Sequence, residues 1–138
     1  MTTRAELVTE ARTWLGTPFH HQGRIKNVAA DCAGVIEGIA KHFGFVVHGQ
    51  IPINYSAQPD GEMMRKILGE TMEEINPTDI LPGDVLLFAF DLDPQHVAVV
   101  TDFGILHSYA QVRKCIETSL DDTWKKRIRG AYRFRGIE

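Results

Sequence analysis

Cysteine is scarce in this sequence: Cys32 and Cys115 are the two in 138 residues. They could form one disulfide in principle, but a chain without a signal peptide and with an adequate core does not need it, so both are expected as free thiols. No leader-like segment opens the chain, because Thr2 to Arg12 is polar and charged, and a chain without a secretory signal is expected to be made in the cytoplasm. No apolar run approaches the length of a membrane span, so no insertion into a membrane is expected. Positive charge is not in surplus either. Fifteen Lys and Arg against 18 Asp and Glu leave a net charge of -3, which gives no electrostatic case for nucleic acid as a partner. Internal repeats, linkers and low-complexity tracts are also missing, so residues 1–138 are expected to form a single domain. What is present is ordinary for a soluble domain: 43% hydrophobic and 24% charged residues, enough for a core at this length.

The chain is organised around Asp31-Cys32-Ala33-Gly34 and the apolar residues that follow it. Val35, Ile36, Ile39, Ala40 and Phe43 recur at helical spacing, and Gly44 stands where a helix C-cap is expected. Cys32 then lies on the first turn, where unpaired backbone N–H groups and the helix dipole favour a thiolate, the nucleophilic form of cysteine. The competing reading is a small buried apolar residue, as free cysteines commonly are. Asp31 precedes the helix and has the chemistry of an N-cap.

Ahead of this stretch, Thr3 and Glu6 have capping-box spacing, and Ala5, Leu7, Val8, Ala11, Trp14 and Leu15 form an apolar stripe, so a first helix is expected up to Gly16-Thr17-Pro18. Phe19 to Ala30 reads as a loop lying beside the nucleophile. Its adjacent His20 and His21 cannot share one side of an extended chain, so they are not expected to share a metal. Phe45 to Pro59 is a long connection. Asp60 is placed to cap a third helix through about Glu74, with Met63, Met64, Ile67, Leu68, Met72 and Ile75 inward as packing residues.

From Asn76-Pro77 onward the period changes. Strands are expected at Val85 to Phe90, His96 to Thr101, Ile105 to Tyr109, about Lys114 to Thr118, and Arg129 to Phe134, with turns at Leu81 to Asp84, Asp91 to Gln95, and Asp102 to Gly104. Helices first and an antiparallel meander after them make an α+β fold, not a βαβ one.

Two polar residues sit oddly on these strands. His96 begins an otherwise apolar strand, and His107 lies eleven residues later on the strand that follows the Asp102-Phe103-Gly104 turn. Antiparallel neighbours near register place side chains on one face about 5 Å apart. With a cysteine on a helix start, the pair suits nucleophilic acyl transfer: a thiol attacks a carbonyl, one imidazole moves the proton, and a second polar group orients that imidazole. A Cys-His-His zinc site with one open position is the alternative, but it lacks the paired ligand spacings that usually build one. No metal or cofactor is expected. Cys115, in a β pattern without an evident partner, is expected to be inert.

The run Trp14-Leu15-Gly16-Thr17-Pro18-Phe19, then Gly23, Asp31-Cys32-Ala33-Gly34, Leu81 to Phe88, His96-Val97-Ala98-Val99-Val100 and Leu106-His107 resembles the NlpC-type cell-wall cysteine peptidases. The resemblance extends from about Ala5 to Phe134. It implies a papain-like fold in which the cysteine helix packs on an antiparallel sheet carrying the histidines. It also implies Cys32 as nucleophile, His96 as general base and acid, and His107 as the orienting third residue. The substrate implied is the stem peptide of peptidoglycan, cut between γ-D-glutamyl and a diamino acid. Asp31, Phe19 and Ala33 fall at positions implied to lie on the substrate-binding side. Phe19 and Ala33 stand where the family often has Tyr and Ser, so each removes a hydroxyl near the nucleophile. The single domain and the Phe19-His20-His21-Gln22-Gly23-Arg24 loop resemble the branch found with phage tails and gene transfer agents. That implies tail-tip or baseplate proteins as partners and delivery to the periplasm or cell wall. A tail-tip component with little activity, and a thiol acyltransferase, are alternative functions on the same scaffold.

Overall fold

The computed structural model describes residues 2–45, 61–90 and 94–138. The expected Asp60 cap, most of the Phe45 to Pro59 connection, the inward side chain of Met63 and most of the Asp91 to Gln95 turn lie outside the described residues.

Helix α1 (Arg4–Arg12) starts at the expected capping box, with the Glu6 N–H donating to Thr3 Oγ1 at 3.1 Å and the Thr3 N–H donating to Glu6 Oε1 at 3.2 Å. It buries Leu7, Val8 and Ala11, and Trp14 follows it into the core, whereas Ala5 and Leu15 are exposed. A short hairpin of β1 (Arg24–Ile25) and β2 (Ala29–Ala30) occupies part of the expected Phe19 to Ala30 loop. Helix α2 (Cys32–Phe43) is capped by Asp31 and ends at Gly44, whose φ of 71° is the left-handed conformation a glycine adopts without strain. Its Gly38 admits the Trp14 ring, which any Cβ at 38 would strike.

Helix α3 (Gly61–Thr71) stops short of the expected end near Glu74. Residues Glu73–Ile75 instead form strand β3 and pair with the last strand, Glu73 opposite Arg133 and Ile75 opposite Ala131. The local sequence reads equally as a last helical turn. Tertiary pairing decides, because the sheet edge offers backbone partners to Glu73–Ile75. Thr71, whose hydroxyl bonds back to the Ile67 carbonyl at 2.8 Å, closes the helix. A 3₁₀ turn, Pro77–Asp79, follows.

Strands β4 (Val85–Ala89), β5 (Pro94–Val100), β6 (Ile105–Tyr109) and β7 (Lys114–Thr118) form the expected meander. A short helix that the sequence reading did not anticipate, α4 (Asp122–Lys125), then returns the chain to β8 (Ile128–Arg133) on the other side of β4. The six strands run in the order β3-β8-β4-β5-β6-β7, all neighbours antiparallel. The α+β fold is therefore as the pattern predicted.

The sheet is covered on both faces. Val85, Leu87, Val97, Val99 and Leu106 meet the helices, and Leu86, Phe88, Ala98, Val100, Ile105 and Ala131 meet Trp124 of α4. Two covered faces explain why Val85 to Ala89 is uninterruptedly apolar. At the start of β4, Asp84 is fully buried and accepts from four N–H groups: Arg4 (2.9 Å), Arg133 Nε (3.0 Å), Arg133 Nη2 (2.9 Å) and the Leu81 backbone (2.8 Å). It ties α1, the Leu81–Asp84 turn and β8 together. Among the described residues no helix is long and apolar enough to cross a membrane.

Candidate active site

Asp31 sets the position of Cys32. Its two carboxylate oxygens accept from different elements, Oδ1 from the Gly34 N–H and Oδ2 from the Gln22 N–H, each at 2.8 Å. The first bond caps α2 and the second draws the loop against the helix start. The loop comes close: a Cβ at Gly34 would collide with the Gly23 carbonyl, so only glycine fits there. Behind the loop, Arg24 forms a buried ion pair with Glu37 of α2, and Lys41 pairs with the same carboxylate at 2.7 Å. The expectation that the loop lies beside Cys32 matches this arrangement.

Cys32 is partly buried, and the N–H groups of Cys32, Ala33 and Val97 are directed at its thiol. Val97 follows His96 on β5, so the helix start abuts the end of β5 that carries the histidine. The β5–β6 register sets Val99 opposite Leu106 and Val100 opposite Ile105. Continued along the strands, it makes His96 and His107 diagonal neighbours on the sheet face turned away from α2. His96 Nε2 and His107 Nδ1 lie 2.7 Å apart, both rings buried, and His107 Nε2 lies 3.2 Å from Thr118 Oγ1. Phe88, Phe90, Tyr109 and Trp124 surround His96, with ring centroids 5.3 to 6.1 Å from it. Among the described residues the hydrogen bonds of the site run His96–His107–Thr118, and Cys32 joins this end of β5 through the Val97 N–H. No three His, Cys, Asp or Glu side chains among them converge in a metal-binding group.

The electrostatics run against the helix-dipole argument for a thiolate at Cys32. Burial pushes the Cys32 thiol up to about 12, and the Asp31 carboxylate beside it acts in the same direction. Burial likewise moves His96 well below its usual range and His107 down to about 4, with the positive charge of Arg127 adding to the effect on His96. A helix terminus contributes about 0.3–2 kcal/mol in favour of an anion, against roughly 4–7 kcal/mol for full burial. Burial is the larger effect, and it favours the neutral forms of the Cys32 thiol and of both imidazoles.

The remaining residues singled out in the sequence are placed as follows. Phe19 is partly buried, and its N–H donates to the carbonyl of Arg113 in the β6–β7 turn at 2.8 Å. Ala33 is buried, with 3% exposure. Cys115 is buried at 1% exposure, its thiol also pushed up to about 12 by burial. Burial raises both thiols, so access decides which reacts. A thiol-alkylating reagent is expected to modify Cys32 ahead of Cys115 near neutral pH. The rate should rise about tenfold per pH unit in alkaline solution, as the thiolate fraction grows. Peptide mapping that finds Cys115 modified first would overturn this.

Sequence reasoning missed Thr118, Tyr109 and Trp124. Thr118 reads as an ordinary strand residue, and its neighbour across the sheet is known only once β6 and β7 are paired.

No family model matches the sequence, and no curated protein matches it. Solved structures do. An NlpC/P60 family protein from Bacillus cereus superposes with a TM-score of 0.72 at 23% identity, covering 95% of this chain and 40% of that one. The NlpC/p60 domain of the peptidoglycan hydrolase SagA gives 0.66 at 20% identity, over 94% of this chain and 97% of that one. The peptidoglycan hydrolase RipB from Mycobacterium tuberculosis gives 0.68 at 14% identity, over 95% of this chain and 64% of that one. This chain thus has the papain-like fold of these proteins over nearly its whole described length, and it spans less than half of the Bacillus cereus protein.

Proposed function

We propose that this chain is an NlpC-type cysteine peptidase that hydrolyses peptidoglycan stem peptides between γ-D-glutamyl and a diamino acid. The observation that carries the reading is the 2.7 Å His96–His107 hydrogen bond at the strand end where the thiol of Cys32 meets the Val97 N–H. The shared fold with peptidoglycan hydrolases supports the substrate class.

In this reading Cys32 Sγ attacks the scissile carbonyl carbon, and its proton passes around the end of β5, where the thiol meets the Val97 N–H, to His96 Nδ1, the ring nitrogen not engaged by His107. Proton transfer accompanies attack, since burial favours the neutral thiol and the neutral imidazole. The N–H groups of Cys32 and Ala33, at the start of α2, face the developing oxyanion. His96 then protonates the leaving amine, the amide C–N bond breaks, and a thioester remains on Cys32. Water, deprotonated by His96, hydrolyses the thioester and frees the thiol. His107 holds the His96 ring and its tautomer. Asp31, with both oxygens engaged by backbone N–H groups, serves the substrate side by fixing the Gln22 loop, while Phe19 and Ala33 line that side without the hydroxyls of Tyr and Ser. On the resemblance of the Phe19–Arg24 loop, we place the activity in a phage or phage-like tail tip, acting at the cell wall.

Digestion of purified diaminopimelate-type sacculi by the chain tests the reading. Mass spectrometry is expected to find fragments with a new γ-D-glutamyl carboxyl end and partners with a free diamino-acid amine. Absence of any fragment would leave the scaffold as an assembly component. Transfer of the acyl group to an added amine in place of water would identify an acyltransferase.

A further inference from the structure

We propose that Thr118 is a positioning residue: its hydroxyl accepts the His107 Nε2–H and thereby holds both histidines in the tautomers that leave His96 Nδ1 open. The proposal rests on the assignment of His96 as the base for Cys32, but its primary readout does not require activity.

A chain of two hydrogen bonds between neutral imidazoles and a hydroxyl can run in either direction. In one, His96 Nε2–H donates to His107 Nδ1 at 2.7 Å, and His107 Nε2–H donates to Thr118 Oγ1 at 3.2 Å. Only this direction leaves a lone pair on His96 Nδ1. In the other, His107 Nδ1–H donates to His96 Nε2, His96 carries its proton on Nδ1, and it has no site for the proton of Cys32. Both rings are buried, at 4% and 1% exposure, so an unpartnered N–H on either is costly. Without the Thr118 oxygen, the first direction strands the His107 Nε2–H, whereas the second strands only an acceptor lone pair. Buried donors without partners are the rarer of the two. Thr118 removes that cost from the productive direction.

The fold holds Thr118 in place from its other side. Glu117, the preceding residue on β7, faces the helices, where Arg12 reaches both its carboxylate oxygens (3.1 and 2.9 Å) and Thr101 Oγ1 donates to it at 2.8 Å. Gly104 lets the Thr118 carbonyl approach the β5–β6 turn so closely that a Cβ at 104 would collide with it. Alternation along β7 then turns the Thr118 side chain to the histidine face. Ile105 is its register partner and His107 its diagonal neighbour.

Imidazole nitrogen NMR of histidine-labelled protein tests the inference directly, because it distinguishes Nδ1–H from Nε2–H rings. The wild type is expected to show Nε2–H on both His96 and His107. Thr118→Val keeps the shape and the β-branch but removes the oxygen, and should move His107 toward Nδ1–H. Thr118→Ser should restore the wild-type pattern. On sacculi, the Val variant is expected to lose about five- to tenfold in kcat/KM, chiefly through kcat, with the Ser variant near wild type. A wild-type His107 found as Nδ1–H, or an unchanged tautomer in Thr118→Val, overturns the inference whether or not sacculi are digested. A tautomer shift without loss of kcat in an active enzyme also overturns the positioning role. Inactivity of the wild type with the expected tautomers would instead fault the functional reading alone.

Discussion

Cys32→Ala is expected to lower the rate of fragment release from sacculi by about 10⁴- to 10⁶-fold while leaving the fold unchanged. A methyl group cannot attack a carbonyl, and no other thiol is placed to replace it, since Cys115 is buried in the core away from the histidines. The fold should tolerate the change. Cys32 is partly buried at the first position of α2, where alanine is a good helix former, and the Asp31 cap and the Gly34 contact do not involve its side chain. Circular dichroism and the thermal midpoint are therefore expected to match the wild type within a few degrees. Cys115→Ser makes the contrasting control: it places a hydroxyl in an apolar site, so it should cost stability while leaving the chemistry intact. Fragment release by Cys32→Ala at the wild-type rate would remove the nucleophile assignment and the proposed mechanism with it.

Asp84→Asn is expected to destabilise the protein by about 3 kcal/mol, a fall of roughly 10 °C in thermal midpoint at neutral pH. The amide keeps the size of the carboxylate but carries no charge, and its NH₂ cannot accept. Arg4 and Arg133 would then face a neutral group that returns at most one oxygen for the four N–H donors now satisfied. The pH dependence gives a second check. Burial acts to raise the Asp84 carboxyl, but the hydrogen bonds from Arg133 and Arg4 and from the Leu81 N–H outweigh it, and the carboxyl lies below its ordinary 3.8. A carboxyl lowered in the folded state stabilises fully above its unfolded pKa, and loses that contribution as pH falls through the folded value. The gap in thermal midpoint between wild type and Asp84→Asn should thus be constant near neutrality and close in acid below the ordinary carboxylate range. A constant gap down to strong acid would mean that Asp84 acts through shape alone.

Much of this molecule was fixed by local chemistry and was therefore legible in the sequence. Thr3 and Glu6 form a capping box in any helix that starts there, Gly44 takes a left-handed φ that other residues avoid, and the short apolar, valine-rich run from His96 to Thr101 between two turns reads as a strand. That Cys32 opens a helix and that His96 and His107 lie on strands joined by a short turn was legible for the same reason; the structure pairs the two histidines and sets Cys32 against the Val97 N–H. The tertiary structure decided what depends on partners distant in the chain. Glu73–Ile75 became a strand because β8 offered it an edge, and Trp124 reached the histidines because α4 folds over the sheet. Thr118 met His107 because β6 and β7 pair in one register out of several. Burial, too, is a property of the whole fold. A helix N-terminus by itself favours a thiolate, but the neighbours that enclose Cys32 remove water from both charge states, and the loss of solvation outweighs the helix dipole. The sequence therefore placed the cysteine and the two histidines on their elements, and the packing around them shifts all three toward their neutral forms.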